Sequence, residues 1–119
     1  MTDYIAGLGE PARAVLERYM ARATAIVPEA DEGRSYGMAA LRYRGRPLVS
    51  VVSTKLGYSV FPFSAEVVDS VIRELDGFDS TKGGIKFTDE HPLPANAFDA
   101  LVERRRDEID AALSKARRR

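Results

Sequence analysis

The chain contains no cysteine, which removes disulfides, thiolate nucleophiles and cysteine-ligated zinc or iron–sulfur centres together. It has a single histidine, His91, so a metal site would have to rest on carboxylates. Its apolar runs last only a few residues, against the roughly 20 that a membrane-spanning helix needs. The start, Met1-Thr2-Asp3-Tyr4, has neither the basic segment nor the apolar core of a secretion signal, and a cytoplasmic protein without a membrane partner is expected. Net charge is lacking too. Lysine plus arginine (18) equal aspartate plus glutamate (18), which argues against a domain built mainly to hold nucleic acid. Repeats, low-complexity segments and long linkers are also missing, and residues 1–119 are expected to form a single domain.

What is present is enough for a core. Apolar residues make up 45 % of 119, and a chain of this length buries roughly two-thirds of its unfolded surface without a metal or disulfide staple. Val15, Leu16, Tyr19, Met20, Ala23, Ile26 and Val27 recur at helical spacing, which predicts a first helix from Pro11 to about Pro28. Glu29-Ala30-Asp31-Glu32-Gly33 reads as a polar loop. Strand character follows Met38, where Leu41 and Tyr43 alternate with Arg42 and Arg44. A tight turn at Arg44-Gly45-Arg46 leads to a second strand, Leu48 to Val52, with Pro47 placed at a strand start or on an edge. Lys55-Leu56-Gly57 turns again into a third strand, Tyr58 to Phe61.

Ser64 is a strong N-cap for the next helix, with Phe63 and Val68 at the spacing of a hydrophobic staple. Val67, Val68, Val71, Ile72 and Leu75 supply its apolar face, and Gly77 stands where a left-handed C-cap is wanted, with Phe78 as its lid. A strand, Ile85-Lys86-Phe87, and a last helix from about Pro94 complete the order α-β-β-β-α-β-α. Phe98, Leu101, Val102, Ile109 and Leu113 lie on one side of that helix. The short turns favour an α+β fold: an antiparallel sheet of about four strands with helices on one face.

Few local patterns carry chemistry. Gly7-Leu8-Gly9-Glu10-Pro11-Ala12 has the spacing of a dinucleotide fingerprint, but no strand precedes it and no βαβ unit follows. His91, between Glu90 and Pro92, has no nucleophile or orienting acid aimed at it by sequence and reads as a surface loop residue. Glu29, Asp31 and Glu32, and separately Asp76, Asp79, Asp89 and Glu90, are oxygen donors without the spacing of a calcium loop. Lys82-Gly83-Gly84 is either a turn or a small anion cradle, and the phosphate-binding P-loop pattern is absent. Arg105 falls on the apolar stripe of the last helix, where a guanidinium must pair with a carboxylate such as Glu108 or face a polar cavity. Basic stretches occur at Arg34/Arg42/Arg44/Arg46 and at Lys115/Arg117/Arg118/Arg119, the latter read as a solvated end.

Taken in order, these signals resemble the YdhG-like domain family. They include Tyr4-Ile5-Ala6, Glu10-Pro11, Tyr36-Gly37-Met38-Ala39-Ala40 and Tyr43-Arg44-Gly45-Arg46-Pro47-Leu48. Thr81-Lys82-Gly83-Gly84-Ile85-Lys86-Phe87, Pro92-Leu93-Pro94 and the Arg105/Glu108 pair follow, so the match runs over nearly the whole chain. Three positions depart from the family's pattern: Ala39 for a proline, Phe61 for a tyrosine and Gly84 for a threonine. The resemblance implies an α+β fold and, for some members, a frataxin-like intracellular iron chaperone. No residue here matches a particular iron ligand, and no other cofactor is expected.

The expectation for function is a non-enzymatic binding module for a small polar or anionic ligand. Its cleft would be bordered by Tyr36, Tyr43, Lys82 and Arg105, between the sheet and the last helix. The alternative is the iron chaperone working through surface carboxylates. An enzyme is not expected, because no nucleophile–base pair is marked. Nucleic-acid binding by the arginine hairpin is disfavoured, and the chain is expected to be a monomer or a homodimer.

Overall fold

The apolar face of Val15, Leu16, Met20 and Ala23 winds into a helix, α2 (Ala12–Ile26), in the computed structural model, which describes residues 2–35, 37–81 and 83–117. Pro11 is its N-cap rather than its first turn, and the Pro11 carbonyl accepts from Val15 N–H at 3.1 Å. Glu10 completes the cap: its carboxylate accepts from Ala14 N–H at 3.0 Å. That bond, then Arg13, holds the Glu10 carboxyl below its ordinary range. A short helix not foreseen from the sequence, α1 (Thr2–Ala6), comes first and buries Ile5. The Tyr4 hydroxyl fixes it to the sheet by accepting from Ser53 N–H at 3.0 Å.

Among the described residues six antiparallel strands follow, in the spatial order β1-β2-β3-β4-β6-β5. They are β1 (Asp31–Ser35), β2 (Met38–Tyr43), β3 (Arg46–Thr54), β4 (Gly57–Phe61), β5 (Ser80–Thr81) and β6 (Gly84–Phe87). Between β4 and β5 lies α3 (Ala65–Ile72), and α4 (Ala95–Arg117) ends the fold. The element order expected from sequence holds, with two strands more than the four expected. Both extra strands are edges. Asp31–Ser35, whose first three residues fall in the stretch read as a loop, pairs along its length with β2, yet most of it is exposed and it carries no apolar alternation to announce it. Strand β5 is only two residues long.

Arg44 (φ 52°) and Gly45 (φ 79°) form the β2–β3 turn, both left-handed as a two-residue hairpin requires. Pro47 sits near the start of β3, opposite Arg42, where the register shifts between Leu41 and Arg42. The strand itself is interior, flanked by β2 and β4, so this proline does not mark an edge.

The Ser64 cap is present, its hydroxyl accepting from Val67 N–H at 3.3 Å. The helix behind it is shorter than its apolar pattern suggests. After Ile72 the chain tightens through Glu74 N–H to Val71 O and Leu75 N–H to Ile72 O, so the ladder has changed before Gly77 takes its left-handed turn (φ 78°).

Helices α2 and α4 pack across β3, and α3 lies against β6 and α4. The sheet contributes Val51, Val60 and Ile85, in register across three strands and fully buried, and α4 contributes Phe98, Leu101 and Val102. Each such side chain contributes about 1.5–3 kcal/mol by leaving water. Tyr19 stacks edge-on against Phe87 (5.3 Å) and tilts over Phe98 (4.8 Å), while its hydroxyl donates to Leu93 O at 3.0 Å. The face of the sheet away from the helices carries Ser50, Ser59 and Lys86.

Candidate functional site

Of the four residues singled out for a cleft, Tyr36 and Lys82 lie outside the described residues, as do Arg118 and Arg119 of the terminal basic run. Tyr43 and Arg105 are both found where α4 crosses the start of β3, and both are engaged within the chain. The Tyr43 hydroxyl donates to Asp110 Oδ1 at 2.8 Å, and Arg44 Nη1 reaches the same oxygen at 2.9 Å. The hydrogen bonds from Arg44 and from Tyr43 hold the Asp110 carboxyl below the usual range, while the bond to Asp110 raises the Tyr43 phenol. Arg105 Nε donates to Pro47 O at 2.9 Å and Nη1 to Glu108 Oε1 at 2.6 Å. The other Glu108 oxygen accepts from the Ser64 hydroxyl at 2.8 Å. One arginine thus ties α4 to β3 directly and to the N-terminus of α3 through Glu108. Apolar core side chains of α4 and the sheet fill this region alongside the network.

A cavity of about 260 Å³ does border the sequence motifs, walled by Met38, Phe61, Phe63, Ser64, Ala65 and Gly83. Its lining is mostly apolar, and the Ser64 hydroxyl donates to Glu108 and accepts from Val67 N–H. Two departures from the family's pattern meet at this place. A Cβ on Gly84 would come within 2.7 Å and 2.8 Å of the Phe61 ring and 2.8 Å of the Val60 carbonyl. The ring occupies the space a threonine would need, so Phe61 and Gly84 are one packing solution.

A more polar cavity, of about 510 Å³, opens at the end of the β3–β4 hairpin. The turn residues Lys55 and Leu56 form its lip, Ser59 and Lys86 its strand wall, and Asp79, Thr88 and His91 its far side. Ser59 and Lys86 are cross-strand partners, so their side chains leave the same face of the sheet. Gly57 lets β4 close on β6 here: with φ 147°, a Cβ would sit 2.5 Å from the Phe87 carbonyl. The His91 ring lies flat on Phe78, with centroids 4.1 Å apart and planes 18° apart. Its loop is closed by His91 N–H to Thr88 Oγ1 (3.0 Å) and Thr88 N–H to His91 O (3.3 Å). Behind the wall, the Tyr58 hydroxyl donates to Asp89 at 2.9 Å. Burial first, and this bond second, push the Tyr58 phenol up to about 12.

Among the described residues, neither Lys55 nor Lys86 has a carboxylate at ion-pair distance, whereas Arg104, Arg105 and Arg106 of α4 all do. The cavity therefore offers two unmatched ammonium groups, hydroxyls from Thr54 and Ser59, an imidazole face and apolar surface from Leu56 and Phe87. Leu56 is 90 % exposed. Sequence reasoning missed this site because each member has an ordinary reading: a turn lysine, an outward strand lysine, a loop histidine. The one available signal was Leu56, an apolar residue at the tip of a turn with no buried face to serve.

The remaining candidates resolve simply. Among the described residues no group of three or more histidine, aspartate or glutamate side chains could hold a metal ion, so the loop acids do not converge on a centre. No described helix is long and apolar enough to cross a membrane. Gly7 to Pro11 joins α1 to α2, and the described residues before it are the helix Thr2–Ala6. The arginine hairpin is partly tied down, with Arg42 donating to Gly45 O and to Arg34 O and Arg44 held by Asp110.

An open antiparallel sheet covered on one face by helices, α-β-β-β-α-β-α with an added N-terminal helix and two added edge strands among the described residues, defines an α+β fold. The structure is similar to the crystal structure of YdhG, a protein from the DUF1801 family of Bacillus subtilis, with a TM-score of 0.72 over 86 % of this chain and 84 % of that one. Identity is 17 %, so what the likeness shows is the fold, the one that the resemblance in sequence implies. No family model matches this chain, and no curated protein matches it in sequence.

Proposed function

We propose that the chain is a non-enzymatic binding module for a small anionic ligand with an apolar body, held at the end of the β3–β4 hairpin. The observation that supports this is the pair Lys55 and Lys86, both on one cavity and both without an ion-pair partner among the described residues. Buried area at Leu56 and Phe87 would add an apolar contribution, and the His91 ring offers a flat face to a planar group. Asp79 on the same cavity disfavours a polyanion, because a carboxylate among the ligand's charges repels them; it favours one acidic group together with a hydrogen-bond donor. The His91 ring has no hydrogen-bonded nucleophile or acid among the described residues, which is the basis for proposing binding without chemistry.

The test is a calorimetric or chemical-shift titration with a panel of aromatic and aliphatic monocarboxylates and phosphate monoesters. Saturable binding that falls about tenfold or more in Lys55→Ala/Lys86→Ala, with the ligand recovered unchanged, is the expected result. An affinity indifferent to both substitutions, or a ligand returned chemically altered, would overturn the reading.

A further inference from the structure

The single histidine of the chain lines the hairpin cavity, and neither of its ring nitrogens has a hydrogen-bond partner among the described residues. Its place is fixed by the backbone instead: His91 N–H donates to Thr88 Oγ1 at 3.0 Å, and His91 O accepts from Thr88 N–H at 3.3 Å. One ring face lies on Phe78, which is not part of the cavity wall. Nε2 lies beside Gly77, where an added Cβ would come within 3.4 Å of it, and Gly77 does line the cavity. A neutral imidazole offers one donor and one acceptor, an imidazolium two donors and a charge. Resting on the reading of this cavity as an anion site, we infer that His91 is its third, pH-dependent cation. Proton and ligand are taken up together, so the site holds an organic anion more tightly as pH falls from about 8 to about 5.5.

The charges around the ring decide the sign. Lys55 from the hairpin turn and Lys86 from β6 line the same cavity and oppose a third positive charge there, whereas Asp79, from the turn after α3, favours it. The Phe78 face favours the charged ring as well. Asp89 and Glu90 precede His91 in its own loop and Asp76 precedes Gly77, but none of the three lines the cavity. Asp89 accepts from the Tyr58 hydroxyl at 2.9 Å and lines a separate small cavity with Arg18. A bound carboxylate neutralises part of the ammonium charge, which removes the opposition to protonation, and gives the imidazolium an acceptor. By linkage, the proton then strengthens ligand binding by the same factor as the ligand strengthens proton binding. Carboxylates ordinarily titrate below this pH range and lysines above it, so of these side chains the imidazole alone carries the change.

Benzoate and hexanoate are the probes, because their carboxylates stay ionised over the range, whereas phosphate monoesters change charge within it. Calorimetric titration at constant ionic strength should give wild-type binding about tenfold tighter at about pH 5.5 than at about pH 8. His91→Phe keeps a ring against Phe78 without the charge, and its affinity should be the same at both pH values. With one histidine in the chain, the Cε1–H proton resonance reports the same event in the wild-type protein, without a variant that has to fold. Its titration midpoint should rise by about 1 in pH when benzoate saturates the site. Equal wild-type affinity at the two pH values, a midpoint that stays put with benzoate bound, or a pH dependence that survives in His91→Phe overturns the inference and leaves the anion site standing. Absence of binding by both probes at both pH values overturns it together with the reading on which it rests.

Discussion

Where α4 crosses the start of β3, Arg44, Arg105 and the Tyr43 phenol meet acceptors within the chain; at the end of the β3–β4 hairpin Lys55 and Lys86 have no ion-pair partner among the described residues. Arg105, Arg44 and Tyr43 end on Pro47 O, Glu108 and Asp110, and Ser64 closes the set. Lys55 and Lys86 share a cavity with Thr54, Ser59 and His91 and have no such partner among the described residues. A half-buried cation must be matched to keep the fold; a cation at an exposed rim is under no such demand and stays available. Of the residues conspicuous in sequence, Tyr43 and Arg105 are therefore engaged within the fold, whereas the less conspicuous Lys55 and Lys86 have no ion-pair partner among the described residues.

The contrast breaks first at Arg105. Its side chain is 14 % exposed, and Arg105→Ala removes the bond to the Pro47 carbonyl and leaves Glu108 with Ser64 alone. Denaturant unfolding should show a loss of about 3 kcal/mol, with ligand affinity at the hairpin cavity unchanged. Arg105→Lys should recover little of it, since an ammonium cannot reproduce the fork that reaches both acceptors. Unaltered stability in Arg105→Ala would return this residue to the list of binding candidates.

The motif-bordered cavity comes next. Gly84→Thr restores the residue type of the family's pattern but forces it into the Phe61 ring and the Val60 carbonyl. A loss of about 2 kcal/mol in thermal or chemical unfolding is expected. Phe61→Ala in the same background should relieve part of it, because one of the two collisions is with that ring. Additive losses would mean that the two positions are not coupled by packing.

Lys86→Ala sharpens the comparison from the other side. Stability should stay within about 0.5 kcal/mol of wild type, as for a surface side chain without a partner, while affinity for the organic anion falls about tenfold, or about 1.4 kcal/mol. A variant that unfolds more readily and binds normally would place Lys86 among the structural residues.

Much of this division was hidden in the sequence for a physical reason. The core was legible because burial imposes a period: Val15 to Ala23 and Phe98 to Ile109 repeat as helices, and Leu41 and Tyr43 alternate as a strand. Ser64 and the Arg44-Gly45 turn were legible because capping and left-handed backbone restrict residue choice. Strand β1 was not, since an exposed edge with Gly33 at its centre is held by backbone bonds that leave no mark on side-chain type. The premature end of α3 was equally silent, for Leu75 continues the apolar period after the ladder has changed. At the site the limit is different. Pairing of Arg105 with Glu108 follows from a spacing of three along α4, but pairing of Tyr43 with Asp110, and the grouping of Lys55 with Lys86 and His91, depend on which strands become neighbours.

The smallest expected effect lies on the wall between core and cavity. Tyr58 is 4 % exposed and stacked on Phe87 at 5.2 Å, and its hydroxyl reaches out to Asp89. Tyr58→Phe keeps the packing and loses the bond, which should lower stability by about 1 kcal/mol. The same bond predicts a pH dependence of definite sign. Burial and the Asp89 carboxylate favour the neutral phenol, so the folded group titrates near about 12 against 10.0 for the free side chain. The folded state then holds a proton that the unfolded state has released, and its contribution is intact below about pH 10 and lost as pH rises toward about 12. The phenols of Tyr19 and Tyr43 are raised as well, but the component of the phenolate absorbance near about 12 should belong to Tyr58 and should vanish in Tyr58→Phe. If the late component survives the substitution, another tyrosine carries it, and Tyr58 is not the sealed boundary that separates the matched interior from the open cavity.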